Sequence, residues 1–287
     1  TGLVLTACAT QKRTGQLQGD VYTGTDSVEY LASGVKDRVF FATNKSTLTT
    51  AARDVLRKQA AYMRKKKDFS PPIVELISLG KAVAIEGGKA ALKYFRQKSL
   101  NISSKSNINF DPVSVADQSA ESVMRDIIMK TRPQDSILGE EGGLFRGNGN
   151  FTWVLDPIDG TKGFIAGQTT WTVLVSLNEG DVQKFGIIYQ PFSNEMFLGS
   201  NNISELLIGN TSKTLSVREC SGLSKAVLHT TDPYMGNNDE NSLMDKVRRQ
   251  VAFSRYSLDA YAYGLLAMGY VDLIIECSIR TILRKQN

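Results

Sequence analysis

Five apolar or β-prone residues, Phe151-Thr-Trp-Val-Leu155, run directly into Asp156-Pro-Ile-Asp-Gly-Thr161, and this junction limits the fold of the chain more tightly than any other stretch. The first five read as a short buried strand. Pro157 carries no N–H and cannot continue a central strand, so the chain is expected to leave the sheet there. Gly160 allows a tight turn or the close approach of a ligand. Two carboxylates three positions apart at a strand end can converge on one point, and hard oxygen ligands of that kind suit Mg²⁺. A helix starting at Gly160 would add N–H groups able to hold a phosphate beside the metal. Read alone, Asp-Pro and Asp-Gly are also ordinary turn dipeptides, so a plain surface turn stays open.

Two upstream stretches weigh against a plain turn. Ser136-Ile-Leu-Gly-Glu-Glu141 is a second apolar run ending in two carboxylates, and Asp111-Pro-Val-Ser-Val-Ala-Asp117 opens a helix with Asp117 in its first turn. Other chemistries have little to work with. The single histidine, His229, lies in the apolar run Ala226-Val-Leu-His229 and reads as a strand residue, which leaves Ser-His-Asp catalysis and histidine-based zinc sites without support. Cys8, Cys220 and Cys277 are far apart and form neither a metal-ligand pattern nor a disulfide framework. The basic run Arg64-Lys-Lys-Lys67 has no interleaved aromatics and reads as a solvated linker rather than a nucleic-acid patch. No uninterrupted apolar run reaches the length of a membrane span.

A length of 287 residues gives room for one large or two ordinary domains, and an apolar fraction of 41% supports a packed core. Residues 11–35 are polar and rich in Gly, Thr and Ser, and read as linker. A strand from Asp37 and a turn to Leu48 precede a helix that Thr49 or Thr50 caps and that runs through Met63. The seam is expected at Arg64–Pro72, dividing a segment 1–68 from a domain 69–287. Beyond it, Pro72 with Ser70 as cap opens a helix from Ile73 to Phe95, which Gly80 and the Gly87-Gly88 pair weaken toward a kink. A second helix covers about Val115–Met129, with Ser119, Glu121 and Asp126 outward. Strands are expected to end at Glu140-Glu141 and to cover Trp171–Leu177, Gly186–Gln190, Glu195–Gly199, Leu206–Gly209 and Leu215–Val217, with a short helix over Lys162–Ala166. Strand Ala226–Thr231, helix Asn241–Arg249, strand Val251–Tyr256, helix Asp259–Met268 and strand Val271–Glu276 then alternate, which implies a layered α/β second half.

In order, the D-P-V-x-x-A-D, G-E-E and D-P-I-D-G-T elements resemble the inositol monophosphatase family of Mg²⁺-dependent phosphomonoesterases, over roughly Pro71 to Ile279. The resemblance implies an α/β fold, a layered αβαβα sandwich with an α+β first half. It implies that Glu140, Asp156, the carbonyl of Ile158 and Asp159 are metal ligands, with Asp156 bridging two Mg²⁺ ions. It implies that Thr161, with Glu140, orients and activates the attacking water, that Asp117 is the acid hydrogen-bonded to Thr161, and that the Gly160 and Thr161 amides receive the phosphate. Glu141 reads as a solvated or supporting charge. Arg255-Tyr-Ser-Leu-Asp-Ala-Tyr-Ala-Tyr263 and Gly269-Tyr-Val-Asp-Leu-Ile-Ile-Glu276 look most like the histidinol-phosphatase branch, which makes Asp259 and Glu276 substrate contacts suited to an aminated leaving group. Asp259 reads equally well as a helix N-cap or first-turn acid. The family carries a further metal Asp seven residues beyond Glu276, and this chain has Leu283 there. The tail Arg280–Asn287 matches nothing in the family, so the second half is expected to be truncated.

The opening is similar to something else. Leu5-Thr-Ala-Cys8 resembles a lipobox, with Cys8 the candidate for lipidation, and residues 3–66 resemble the start of the OmpA-like domain of peptidoglycan-associated lipoproteins. One strand and one helix cannot bury a core alone, so this segment is not expected to work as a peptidoglycan binder. The expected function is Mg²⁺-dependent hydrolysis of a small phosphorylated alcohol, histidinol phosphate before inositol monophosphate, impaired by the missing ligand. The alternatives are an outer-membrane lipoprotein fragment and a non-catalytic remnant on the same fold. The phosphatase reading places the domain in the cytoplasm, with a homodimer expected and no nucleic-acid partner. A membrane would be met only through a lipidated Cys8.

Overall fold

Tyr30, Leu31 and Val35 are β-prone residues inside a polar stretch, and they pair. In the computed structural model, Tyr30–Ala32 (β1) runs antiparallel to Val35–Lys36 (β2), which corrects the reading of residues 11–35 as linker throughout. The helix expected from Thr49 or Thr50 is Thr50–Lys65 (α1). The structure describes residues 30–32, 35–36, 50–65, 73–97, 102–104, 112–201 and 203–277. The lipidation candidate Cys8, the strand from Asp37, the Ser70–Pro72 helix start, Leu283 and the tail lie outside the described residues. The chain divides into two compact units, Thr1–Pro71 and Pro72–Asn287.

The second unit opens with Ile73–Leu92 (α2), continuous through all three glycines that were expected to weaken it. Their role is fit. A Cβ on Gly80 would stand 2.7 Å from the Phe185 ring, one on Gly87 2.6 Å from Met124, and one on Gly88 2.7 Å from Pro191. The bare backbone therefore lets α2 lie close against its neighbours. Gly80→Val is expected to lower stability by about 1–3 kcal/mol, as overpacking does, with the loss read in the urea midpoint.

Ile102–Ser104 (β3) pairs with Pro112–Ser114 (β4), and Val115–Thr131 (α3) follows at once. An eight-stranded sheet then forms from Ser136–Gly139 (β5), Gly143–Phe145 (β6), Phe151–Asp159 (β7), Thr172–Glu179 (β8), Val182–Gln190 (β9), Glu195–Ser200 (β10), Ile203–Ile208 (β11) and Thr211–Thr214 (β12). Its order is β12-β11-β10-β9-β8-β7-β5-β6. Between β7 and β8 lies the short helix Thr161–Ile165 (α4). Every neighbouring pair is antiparallel except β5 and β7, which are parallel. Alternation along β7, β8 and β9 sends Trp153, Leu155, Val175, Leu177, Phe185 and Ile187 into one core with Leu76, Val83, Met124 and Ile128 of α2 and α3. Each such side chain, fully buried, contributes about 1.5–3 kcal/mol. The Leu215–Val217 stretch expected as a strand is unpaired beyond Leu215, and Val217 is exposed. The strand instead starts four residues earlier, because the two-residue turn Gly209-Asn210, with Gly209 at φ 57°, sets Thr211 opposite Ile208.

A buried ion pair sits under the same core. Asp135, 1% exposed, accepts Nε and Nη2 of Arg132 at 2.9 and 3.0 Å and the Trp153 indole N–H at 3.0 Å.

The second half alternates as expected, with shorter elements: Val227–Thr230 (β13), Asn238–Arg248 (α5), Phe253–Tyr256 (β14), Tyr261–Ala267 (α6) and Leu273–Ile274 (β15). Asn237 and Glu240 open α5 with a capping box. The strands are parallel in the order β14-β13-β15. The first crossover moves one way from β13 and the second moves back past it, so right-handed connections put α5 and α6 on opposite faces. Gly264 of α6 packs on Phe197 of β10, on the large sheet's face away from α2 and α3. The layers are thus helices, large sheet, α6, small sheet and α5. Among the described residues, no helix is long and apolar enough to cross a membrane.

His229, in the middle strand of the small sheet, is fully buried, and among the described residues neither ring nitrogen meets a partner in good hydrogen-bond geometry, although the Tyr256 backbone lies nearby. Burial pushes its pKa below the ordinary 6.5, with the Tyr256 backbone opposing. The folded state therefore binds fewer protons than the unfolded state. Stability should hold above about pH 6.5 and fall as pH drops toward the folded pKa, by at most about 1.4 kcal/mol per pH unit. His229→Leu should flatten that part of the stability profile, which urea unfolding at pH 7 and pH 5 would measure.

Candidate active site

The one parallel pair in the large sheet decides where the carboxylates meet. Gly139 stands opposite Leu155, and both strands point the same way, so the next residues, Glu140 and Asp156, emerge side by side. The Glu140 N–H donates to the Leu155 carbonyl at 3.1 Å and continues the ladder to the site itself. Glu140 lies close enough to Asp156 to help raise its pKa.

Pro157 does not end β7. Strand geometry continues to Asp159, and the register with β8 passes from Asp156 opposite Leu174 to Asp159 opposite Thr172. Three steps on β7 thus face two on β8. The missing N–H of Pro157 is absorbed as a local irregularity, which corrects the expectation that the chain leaves the sheet there. The extra residue re-aims the strand and lets Asp159 follow Asp156 toward one place.

Asp156 is the focus. Solvent reaches part of the residue, but Oδ1 is sealed and has no hydrogen-bond partner. Burial, then Asp159 and Glu140, and last Asp117, hold its carboxyl well above the usual carboxylate range. Asp159 is pushed up to about 7 by burial and by Asp259, against the stabilising Ala260 N–H at 2.6 Å and Thr172 hydroxyl at 3.4 Å. Asp117, buried in the first turn of α3, completes the group. An orphaned carboxylate oxygen among like charges fits a metal. Among the described residues, no three acidic, histidine or cysteine side chains form a ready-made metal cluster.

Gly160 takes φ 84°, ψ 41° as the residue before α4, so the helix expected there does begin at Thr161. The left-handed backbone and the neighbouring Asp259, whose Oδ2 would lie 2.8 Å from an added Cβ, both exclude a side chain. The Thr161 hydroxyl donates to the Ile158 carbonyl at 3.1 Å. That carbonyl keeps a second lone pair, so accepting from Thr161 is compatible with ligating an ion.

Asp259 does not cap a helix. It sits two residues before α6 at φ 47°, and Ala260, the residue before the helix, makes no side-chain cap. Ser257 is also left-handed, at φ 65°, and its carbonyl accepts the Thr170 hydroxyl at 3.3 Å. Strain at two non-glycine residues is the cost of folding the β14–α6 loop over the turn after β7. Burial raises the Asp259 pKa, and Lys162 opposes it. Glu276 lies farther back, where its Oε1 accepts the backbone N–H of Thr231 at 2.9 Å and its hydroxyl at 3.1 Å.

Beyond the residues legible in the sequence, the structure adds Glu121. It was expected outward and is 2% exposed. The misreading came from treating a charged side chain as solvated by default. Its spacing of four from Asp117, which puts both on one helix face, was the available signal. Behind the site, a cavity of about 460 Å³ lies between the large sheet and α6, with Asp156, Leu174, Ile187, Phe197 and Tyr263 in its lining.

Known proteins resemble this chain in sequence and in fold. The sequence pattern of the inositol monophosphatase family matches residues 74–282. The bifunctional phosphatase IMPL2 of Arabidopsis thaliana chloroplasts is 38% identical over 71% of this chain, a match spanning 58% of that protein's length. A histidinol-phosphatase of Chlorobaculum parvum is 28% identical, covering 70% of this chain and 76% of its own. Among solved structures, an inositol monophosphatase from Zymomonas mobilis superposes with a TM-score of 0.62 at 30% identity, covering 74% of this chain and 80% of that one. With residues 74–282 matched, the chain belongs to the inositol monophosphatase family, whose members are phosphatases that hydrolyse phosphomonoesters.

Proposed function

We propose that this chain hydrolyses a small phosphorylated alcohol with Mg²⁺, and that histidinol phosphate is preferred to inositol monophosphate. The observation that carries the proposal is the sealed, unpartnered Asp156 Oδ1 among Asp159, Glu140 and Asp117. Glu140, Asp156, the Ile158 carbonyl and Asp159 would hold Mg²⁺, which neutralises the phosphate dianion and lowers the pKa of water. The Thr161 hydroxyl, with Glu140, would orient the attacking water, its proton turning from the Ile158 carbonyl to Asp117 as acceptor. The Gly160 and Thr161 amides, at the start of a helix, hold the phosphate oxygens. The β14–α6 loop brings Asp259 beside the turn at Gly160.

The substrate order rests on Asp259 and Glu276. Two carboxylates on the leaving-group side suit an ammonium more than a polyol, through charge-assisted hydrogen bonds. Glu276 is already engaged with Thr231, so Asp259 carries most of that preference. Relatives named histidinol-phosphatases support the same order. Phosphate release from histidinol phosphate and from inositol monophosphate, compared as kcat/KM with and without Mg²⁺, tests it. A higher value for the inositol ester would overturn the substrate order, and no Mg²⁺-dependent release from either would overturn the function.

A second metal has less to hold it. Its ligands would be Asp156, Asp159 and the family's further Asp, whose position here is Leu283. Losing a charge stabiliser at the leaving oxygen typically costs about 10²–10³ in rate. One firm Mg²⁺ site and slow turnover are therefore expected. Titration calorimetry that found two tight sites would show that the carboxylate is not needed.

A further inference from the structure

We infer that Glu121 and Arg125 of α3 form a positioning pair that presents Glu140 to the site. The inference rests on the proposed role of Glu140 and adds the residues that hold it in place.

Glu140 stands at a β-turn between β5 and β6, where a carboxylate on a short connection would ordinarily sample many orientations. Here the turn is gripped on both polarities. Glu121 Oε2 accepts the Glu141 N–H at 2.7 Å and Oε1 accepts the Gly142 N–H at 2.8 Å. Arg125 donates Nε to Glu121 Oε1 at 2.6 Å and Nη2 to the Gly143 carbonyl. Three successive residues after Glu140 are thus tied to one helix. Glu121 is 2% exposed and Arg125 15%, so water offers little competition for these bonds.

The glycines around Glu140 are shaped to the clamp. A Cβ on Gly139 would stand 2.1 Å from Glu121 Oε1, and one on Gly142 2.8 Å from the same oxygen. The carboxylate reaches the turn only because both flanking positions lack side chains. Asp117 lies one helical turn before Glu121 on the same face of α3. One rigid helix therefore sets Asp117 directly and Glu140 through the clamp, fixing the separation between two groups that must converge on the same water and ion. Partners of this kind, one step removed from a metal, typically govern about 10–100-fold in metal affinity or activity.

The test compares Glu121→Gln with Asp135→Asn, which weakens a buried ion pair of the same helix-to-strand region away from the site. Glutamine keeps one acceptor oxygen and turns an N–H₂ toward a backbone donor, so at least one clamp bond is lost. Three quantities are measured on the full chain: thermal midpoint, amide hydrogen exchange at residues 141–143, and Mg²⁺ binding by calorimetry alongside kcat and KM. Expected for Glu121→Gln are faster exchange at 141 and 142, Mg²⁺ affinity and kcat each lowered about 10-fold or more, and little change in KM. Asp135→Asn should lower the thermal midpoint while leaving Mg²⁺ affinity and kcat unchanged. If Glu121→Gln loses thermal stability but keeps Mg²⁺ affinity and kcat, Glu121 is structural only and the inference is wrong. If the unmodified chain neither binds Mg²⁺ nor releases phosphate, the functional proposal has failed, and the positioning role falls with it.

Discussion

Asp156→Asn should abolish phosphate release, with a loss of at least about 10²–10³, and should at the same time raise the stability of the metal-free protein. The two effects share a cause. Asp156 is buried against Asp159, Glu140 and Asp117, and its pKa is raised well above the ordinary value. For a raised carboxyl the unfolded chain releases its proton first as pH rises. The penalty on folding thus starts near pH 4, the unfolded pKa, and grows until the folded group ionises. At neutral pH an amide of the same shape removes it. Mg²⁺ should reverse the ranking, because a ligand that binds only the folded state stabilises in proportion to its saturation. Thermal melts with and without Mg²⁺ check both signs. The wild type should gain with the metal and the variant should not. An Asp156→Asn protein that melts lower than wild type without Mg²⁺, or that gains equally with it, would falsify the view that repulsion among these carboxylates is held for a cation.

The second large effect is remote from chemistry. Asp135→Ala should destabilise the second unit by about 3–5 kcal/mol, as breaking a buried ion pair does. Against a total of about 5–15 kcal/mol this is a large fraction of the fold's stability. The substitution strands the Arg132 guanidinium, 19% exposed, and the Trp153 indole N–H, which is buried at the centre of the core. Urea unfolding should show a lower midpoint with an unchanged slope. A double variant, Asp135→Ala with Arg132→Leu, should recover part of the loss, since it removes the unpaired charge. A single variant within about 1 kcal/mol of wild type would mean that water reaches Arg132 freely.

Much of this was legible in the chain because residue chemistry and period agreed. Phe151 to Leu155 alternates correctly for one buried face, Gly160-Thr161 marks the turn and helix start although Pro157 suggested an earlier exit, and the strand–helix alternation after Ala226 forecasts the small parallel sheet. What failed to show depended on partners distant in sequence. Nothing local says that Gly80 and Gly88 face a sheet rather than weaken a helix, because the reason is Phe185 and Pro191 about a hundred residues away. Glu121 looks solvated until the Glu141 and Gly142 amides are brought to it. Leu215–Val217 reads as a strand only while its apolar pattern is weighed above the Gly209-Asn210 turn that sets register. Asp259 lacked its helix because two left-handed residues, Ser257 and Asp259, intervene, and neither is glycine.

The parallel alignment of β5 with β7 also bears on how the protein is made. Its partner strands are not joined by a tight turn. β5 pairs with β6 on one edge and with β7 on the other. Non-local pairings of this kind form late, because the loop must close before its contacts offset the lost freedom. On a nascent chain, Asp117 and Glu140 emerge well before Asp156 and Asp159. The acidic pocket therefore exists only where β7 has paired with β5, because that pairing is what sets Asp156 beside Glu140.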